Sequence, residues 1–136
     1  MLVKLSLIDL YTAIREQLEG NTEYSVYDVI PEGKQSPLLY LEVVGKEDIS
    51  NKMMYRERYE VWIHCIASPS NSRAEVNKMI VAVEEALTDA IELPEHFQLL
   101  QQYENGTMAI NQDETDEWHA VLSFSFDVVY GFKVKI

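Results

Sequence analysis

Cys65 is the only cysteine among 136 residues, so no intramolecular disulfide can form and a cysteine-based metal cage is excluded. That usage suits a reducing cytosol. Glycine is also scarce: the five, at 20, 33, 45, 106 and 131, never fall into a GxGxxG or GxxxxGK[ST] spacing. The simple phosphate-cradling loops are therefore absent. No long apolar run exists. Leu38 to Leu41 and Met79 to Val83 are far below the roughly 20 residues of a membrane span. The first residues, with Lys4 and then Asp9, show no apolar signal-peptide core and no small-residue cleavage site.

Positive charge is the other shortage. The net charge is −12, and from Ala74 to Phe132 a single base, Lys78, stands against twelve acids. Residues 1–68 carry seven basic and eleven acidic side chains, whereas 69–136 carry four and twelve. Such a surface repels phosphate backbones, so nucleic-acid binding of the counterion-releasing kind is not expected. Solubility alone would also account for the excess. The size predicts one domain, 1–136, large enough to bury about two thirds of its unfolded surface.

What is present is a set of well-patterned elements. A first helix is expected from Ser6 to Leu18, with Ser6 and Asp9 as a weak capping pair and Leu7, Tyr11, Ile14 and Leu18 on one face. Gly20-Asn21 supplies its stop. A short strand over Val26 to Ile30 leads into the turn Pro31-Glu32-Gly33-Lys34. Pro37 to Val44 is apolar on both faces and is expected to be central in the sheet. In Met53 to Ala67, Tyr55, Tyr59, Val61, Ile63 and Cys65 face one way; Arg56, Arg58, Glu60, Trp62 and His64 face the other. In the last strand, Trp118 to Tyr130, the even-numbered residues are apolar and Ser123, Ser125 and Asp127 lie on the reverse.

A second helix is predicted from Arg73 to Ala90, opened by a capping box of Ser72 and Glu75. Its stripe of Val76, Met79, Ile80, Val83, Ala86, Leu87, Ala90 and Ile91 must lie on a sheet. Asn105-Gly106 reads as a hairpin turn pairing 97–104 with 107–111. The expected fold is α/β in the α+β sense. It is a mixed, mostly antiparallel sheet with two main helices packed on one face, so that Phe124 and its even-numbered neighbours meet the second helix.

The residues offer little catalytic chemistry. His64, His96 and His119 lack the i, i+4 spacing of a helical zinc pair, though His64 and His119 are expected on one sheet face if their strands pair. Strand alternation sends Cys65 away from His64, among Val61, Ile63 and Ala67, as a buried and inert thiol. Asp113, Glu114, Asp116 and Glu117 surround Thr115 without the central glycine of a calcium loop. They read as a solvated loop, a docking strip for a basic partner or a weak divalent-ion site. No cofactor, metal or catalytic residue is assigned.

Two polar loops, 45–52 and 111–117, are expected to be mobile. The first, Gly45-Lys46-Glu47-Asp48-Ile49-Ser50-Asn51-Lys52, is longer than a hairpin requires, and such excess often serves a contact. With Arg56 and Arg58 as a basic patch and 113–117 as an acidic one, the chain carries complementary surfaces suited to head-to-tail ring assembly.

The ordered arrangement resembles a known family. It runs from the N-terminal helix ending near Gly20, through Tyr27-Asp28-Val29-Ile30-Pro31 and Pro37-Leu38-Leu39-Tyr40-Leu41, to Arg58-Tyr59-Glu60-Val61-Trp62-Ile63-His64. Ser70-Asn71-Ser72-Arg73-Ala74-Glu75-Val76 and Trp118-His119-Ala120-Val121-Leu122-Ser123-Phe124 complete it. The chain is similar, over nearly its whole length, to the tail-completion proteins of long-tailed phages and prophages, also called tail terminators or head-to-tail joining proteins. The shared motifs are loose and include no invariant chemical centre.

The resemblance implies a non-enzymatic structural protein of the virion, made in the host cytoplasm. It would cap the finished tail tube and contact the head connector as a ring, usually of six, with no membrane association. DNA would pass through the lumen without tight binding, which the acidic surface suits. Some members stay monomeric until the tail end templates them. Two other readings stand beside it: a small hydrolase or ligand-binding protein using His64 and His119, and an acidic adaptor for a basic protein partner.

Overall fold

The computed structural model describes residues 1–133. Its elements in chain order are α1 (Leu7–Asn21), β1 (Val26–Tyr27), β2 (Leu38–Asp48), β3 (Met54–Ile66), α2 (Ala74–Ala86), β4 (Gln98–Gln112) and β5 (Trp118–Phe132). They form one sheet in the order β1-β2-β3-β5-β4, antiparallel except for the β1–β2 pair. Both helices contribute to a single hydrophobic core on one face, as expected. The other face carries no helix among the described residues.

The alternation of β3 and β5 sets the register. Tyr59 pairs with Phe126, Val61 with Phe124, Ile63 with Leu122 and Cys65 with Ala120, so both apolar rows point under the helices. Phe124 and Phe126 are buried there with Val76, Met79 and Val83 of α2. In α1, Ser6 Oγ caps the helix by accepting from the Asp9 amide at 3.1 Å. Its buried face is Leu10, Ala13, Ile14 and Leu18, rotated from the expected stripe, and leaves Leu7 exposed. An isolated wheel cannot distinguish two adjacent apolar rows, because Leu7 and Leu10 differ only in which the sheet covers.

Four expectations about local structure need correction. β1 ends at Tyr27, and Val29 and Ile30 are exposed. β2 is central only at its start, because β1 covers just Leu39 and Tyr40 of its outer edge. The capping box does not form. Glu75 instead accepts from the Ser68 amide, while Ser72 Oγ accepts from the Ala74 amide at 3.1 Å.

α2 also stops at Ala86, four residues early. Gln17 Nε2 donates to the Ala86 carbonyl at 2.9 Å, and Gln102 Nε2 to the Leu87 and Asp89 carbonyls. Side chains from α1 and β4 thus take the carbonyls that a further helical turn would have used. Ile91 still reaches the core.

The largest departure is β4. Asn105-Gly106 makes no hairpin; residues 98–112 are one strand along β5, with register shifts at Leu99/Gln101, Glu104/Gly106 and Thr107/Ala109. Gly106 has φ +118, which here serves a bulge. Asn105 Nδ2 donates to Ser123 Oγ at 3.0 Å and Ser125 Oγ at 2.8 Å, tying the bulge to the next strand.

Candidate functional site

The helix-free face of the sheet is polar, yet Ser123, Ser125 and Asp127 on it are buried. Long side chains from neighbouring strands cover them. Glu60 Oε2 accepts from Trp62 Nε1 at 2.9 Å and from Ser123 Oγ at 3.1 Å. Arg58, facing Asp127 in register, grips it through Nε at 2.8 Å and a second nitrogen at 3.1 Å, and Gln101 Nε2 adds a third bond at 2.6 Å. Burial alone would push the Asp127 carboxyl up, but the bonds from Arg58 and Gln101 outweigh it and hold its pKa below the usual range. The same pair raises that of Arg58. A further Arg58 nitrogen lies 3.7 Å from Glu47, and the guanidinium sits over the Tyr103 ring.

Arg58 is therefore committed within its own chain. Arg56 is half-buried; its Nε has no hydrogen-bond partner, and its main chain closes the β2–β3 hairpin through Ser50. Of the expected exposed basic pair, Arg58 is taken up by the cross-strand carboxylates, and both residues are half-buried rather than exposed.

The long flexible loop at 45–52 is also absent. Gly45, Lys46, Glu47 and Asp48 belong to β2, opposite Glu60, Tyr59, Arg58 and Glu57. Ile49, Ser50, Asn51 and Lys52 form a tight connection. Asp48 Oδ1 accepts from the Ser50 amide at 2.8 Å, and Asn51 Oδ1 accepts from the Met53 and Met54 amides at 2.8 Å each. At 113–117, Asp113 Oδ1 receives the Thr115 and Glu117 amides at 3.0 and 3.1 Å. The Thr115 hydroxyl bond, with the two amide bonds, lowers the Asp113 pKa. Asp113 thus builds the β4–β5 turn, and Glu117 lies 2.8 Å from the same hydroxyl; Glu114 and Asp116 remain exposed.

His64 and His119 do meet. Their rings join through Nδ1 of His64 and Nε2 of His119 at 2.8 Å, and His64 Nε2 lies 2.6 Å from Glu42 Oε1. A carboxylate only accepts, so His64 Nε2 donates to Glu42; with both rings neutral, His64 Nδ1 then accepts from His119 Nε2–H. This clasp crosses β2, β3 and β5. Burial, and then the neighbouring His64, lowers the His119 pKa, while Asp113 and Glu117 oppose that shift.

A nucleophile is missing from the arrangement. Among the described residues neither histidine bonds a hydroxyl or thiol, and Cys65 lies on the opposite face with its thiol pushed up to about 12 by burial. No group of three His, Cys, Asp or Glu side chains among the described residues is placed to hold a metal. His96 is exposed, with φ +80.

A second polar cluster holds the N-terminal segment. Buried Glu57 accepts from Tyr130 Oη at 2.8 Å and Lys4 Nζ at 3.3 Å, while the Leu5 amide donates to Tyr130 Oη. Nothing in the spacing of Glu57 within an otherwise apolar row foretold these partners, which come from both ends of the chain. A groove of about 550 Å³ runs between α1 and β2 and is lined by Leu7, Ile8, Leu41 and Val43 among others. No helix among the described residues is long and apolar enough to cross a membrane.

This architecture has known counterparts. A chain of the solved structure "Virion of native gene transfer agent (GTA) particle" is 21% identical and superposes with a TM-score of 0.64, covering 90% of this chain and 92% of its own. That likeness is one of fold. No curated protein matches. The family profile described as "Putative tail termination protein" matches residues 1–136, the whole chain. The chain belongs to the phage tail terminator family and is a structural protein of the phage tail.

Proposed function

We propose that this protein completes the tail: it caps the end of the tail tube, joins it to the head connector and assembles there as a ring, hexameric by the family's habit. The full-length family match carries the reading. DNA passes through the lumen without tight binding. The net charge of −12 supports that, as does the clamping of Arg58 on the helix-free face by Asp127, which leaves it little freedom to seek phosphates. The protein acts through contacts rather than catalysis. Residues 45–52 and the carboxylates of 113–117 are the candidate contact points toward neighbouring copies, tube and connector.

Particles assembled without the protein test this role by electron microscopy. DNA-filled heads and unjoined tails are expected, with joining restored by adding the purified chain. Normally joined, infectious particles would overturn it.

A second reading rests on one observation, the Glu42–His64–His119 clasp, which has the shape of a proton relay. His119→Ala separates the two. Under the structural role, heads and tails still join and remain infectious. If His119→Ala particles are joined and carry a folded protein yet have lost infectivity, the relay has a chemical task.

A further inference from the structure

β4 ends the sheet with fifteen residues whose outer main-chain groups find no main-chain partner among the described residues. Exposed edges of that length are normally blunted by lysine, proline or several charges. Between Gln98 and Gln112 there is neither lysine nor proline, and Glu104 is the only charged residue. Partial desolvation and a hydrogen bond shared with Glu84 push the Glu104 carboxyl up to about 7, which weakens even that charge. The opposite side of the sheet is open as well. Beyond Leu39 and Tyr40, which pair with β1, the outer edge of β2 from Leu41 to Asp48 has no paired strand among the described residues.

The bulges give these edges a shared feature. Register shifts leave Leu100 and Met108 of β4, and Val44 of β2, without a cross-strand partner. All three are apolar and exposed, by 44%, 53% and 39%. A bulge that only protected an edge would gain nothing from presenting an apolar side chain to water. Charge fits the pairing in one respect: Leu41–Asp48 carries Glu42, Glu47 and Asp48 against Lys46, so a nearly uncharged strand such as β4 meets less repulsion there than an acidic one would.

We propose that β4 of one copy docks along Leu41–Asp48 of β2 in the next, so that the sheet continues from subunit to subunit around the ring. The contact is heterologous, as a closed cyclic assembly requires. The α1–β2 groove lies beside the receiving edge and offers apolar cover for an incoming side chain such as Met108. This inference rests on the ring reading above and names the surface by which the ring is built.

The test replaces Leu100 and Met108 together by lysine, which leaves every core residue in place. The folded state is checked by a thermal midpoint within about 3 °C of the parent. The number of copies bound at the ends of isolated tail tubes is then counted by quantitative mass spectrometry. At least a tenfold loss is expected, with a similar loss for Val44→Lys, while Glu92→Gln/Glu95→Gln, an equal charge change off the edge, binds normally. Undiminished multicopy binding by the edge variants, or equal loss in the Glu92/Glu95 control, would overturn the edge contact and leave the ring reading standing. If the unaltered protein binds only as a single copy, both readings fall.

Discussion

One strand, β5, is buried on both sides by two different kinds of chemistry. Phe124 and Phe126 lie under the helices in apolar packing, whereas Ser123, Ser125 and Asp127 are bonded by the side chains of Arg58, Glu60, Gln101 and Asn105. The first surface is held by exclusion of water and tolerates little loss of volume. The second is held by directional bonds whose donors and acceptors are matched within the chain. A face so matched offers few unsatisfied groups to a passing polyanion. The comparison teaches that burial in this protein marks the core on one side and a self-contained polar surface on the other.

The sharpest break is expected on the apolar side. Phe124→Ala should cost about 3–5 kcal/mol, a large share of the roughly 5–15 kcal/mol of a small domain. Chemical denaturation would read this as a lowered midpoint. Asp127→Ala on the polar side should cost less, about 2 kcal/mol, because the Arg58 side chain stays 33% exposed and water can replace part of the pairing. Reversing Arg58 to Glu should likewise destabilise the fold by facing Asp127 with a like charge, so its effect on assembly would be secondary. Equal losses for Phe124→Ala and Asp127→Ala would erase the distinction between the faces.

Asn105→Ala should be milder, about 1 kcal/mol or less, since the two serine hydroxyls can turn to water. The smallest effect is that of pH. The His119 pKa lies below its ordinary 6.5, so the unfolded chain binds the proton more readily than the folded one. Stability present above about 6.5 is then lost as pH falls from there toward the lowered folded pKa. Between pH 7.5 and 5.5 the midpoint of the parent should fall relative to that of His119→Asn, while Glu104, raised to about 7, contributes in the opposite sense to both. An unchanged slope in the variant would show that other groups set it.

The sequence disclosed whatever depends on strict period. The even-numbered apolar row of β5 and, in α2, Val76, Met79, Val83 and Ala86 stand where the periodicity placed them, whereas Ala90 lies past the helix and is exposed. It also put His64 and His119 on one face, though their bond needed the register of β3 against β5. What stayed hidden depends on partners distant in sequence. Gly106 could serve a hairpin or a bulge, and the neighbouring strand with Ser123 and Ser125 decided for the bulge. Lys46 and Glu47 look like loop residues until Tyr59 and Arg58 lie opposite them. Deleting residues from 46–51 should therefore shift the β2–β3 pairing. Arg58 looked free because Asp127 is 69 residues away. The family likeness was legible in the order of elements, and the profile match spans the same 136 residues.

The position of the protein in the finished particle tests the central claim most directly. A gold label on an exposed tag, viewed in intact virions by cryo-electron microscopy, should appear at the head-proximal end of the tail. Label spread along the tube, confined to the distal tip or missing from the particle would contradict a terminator that joins tail to head.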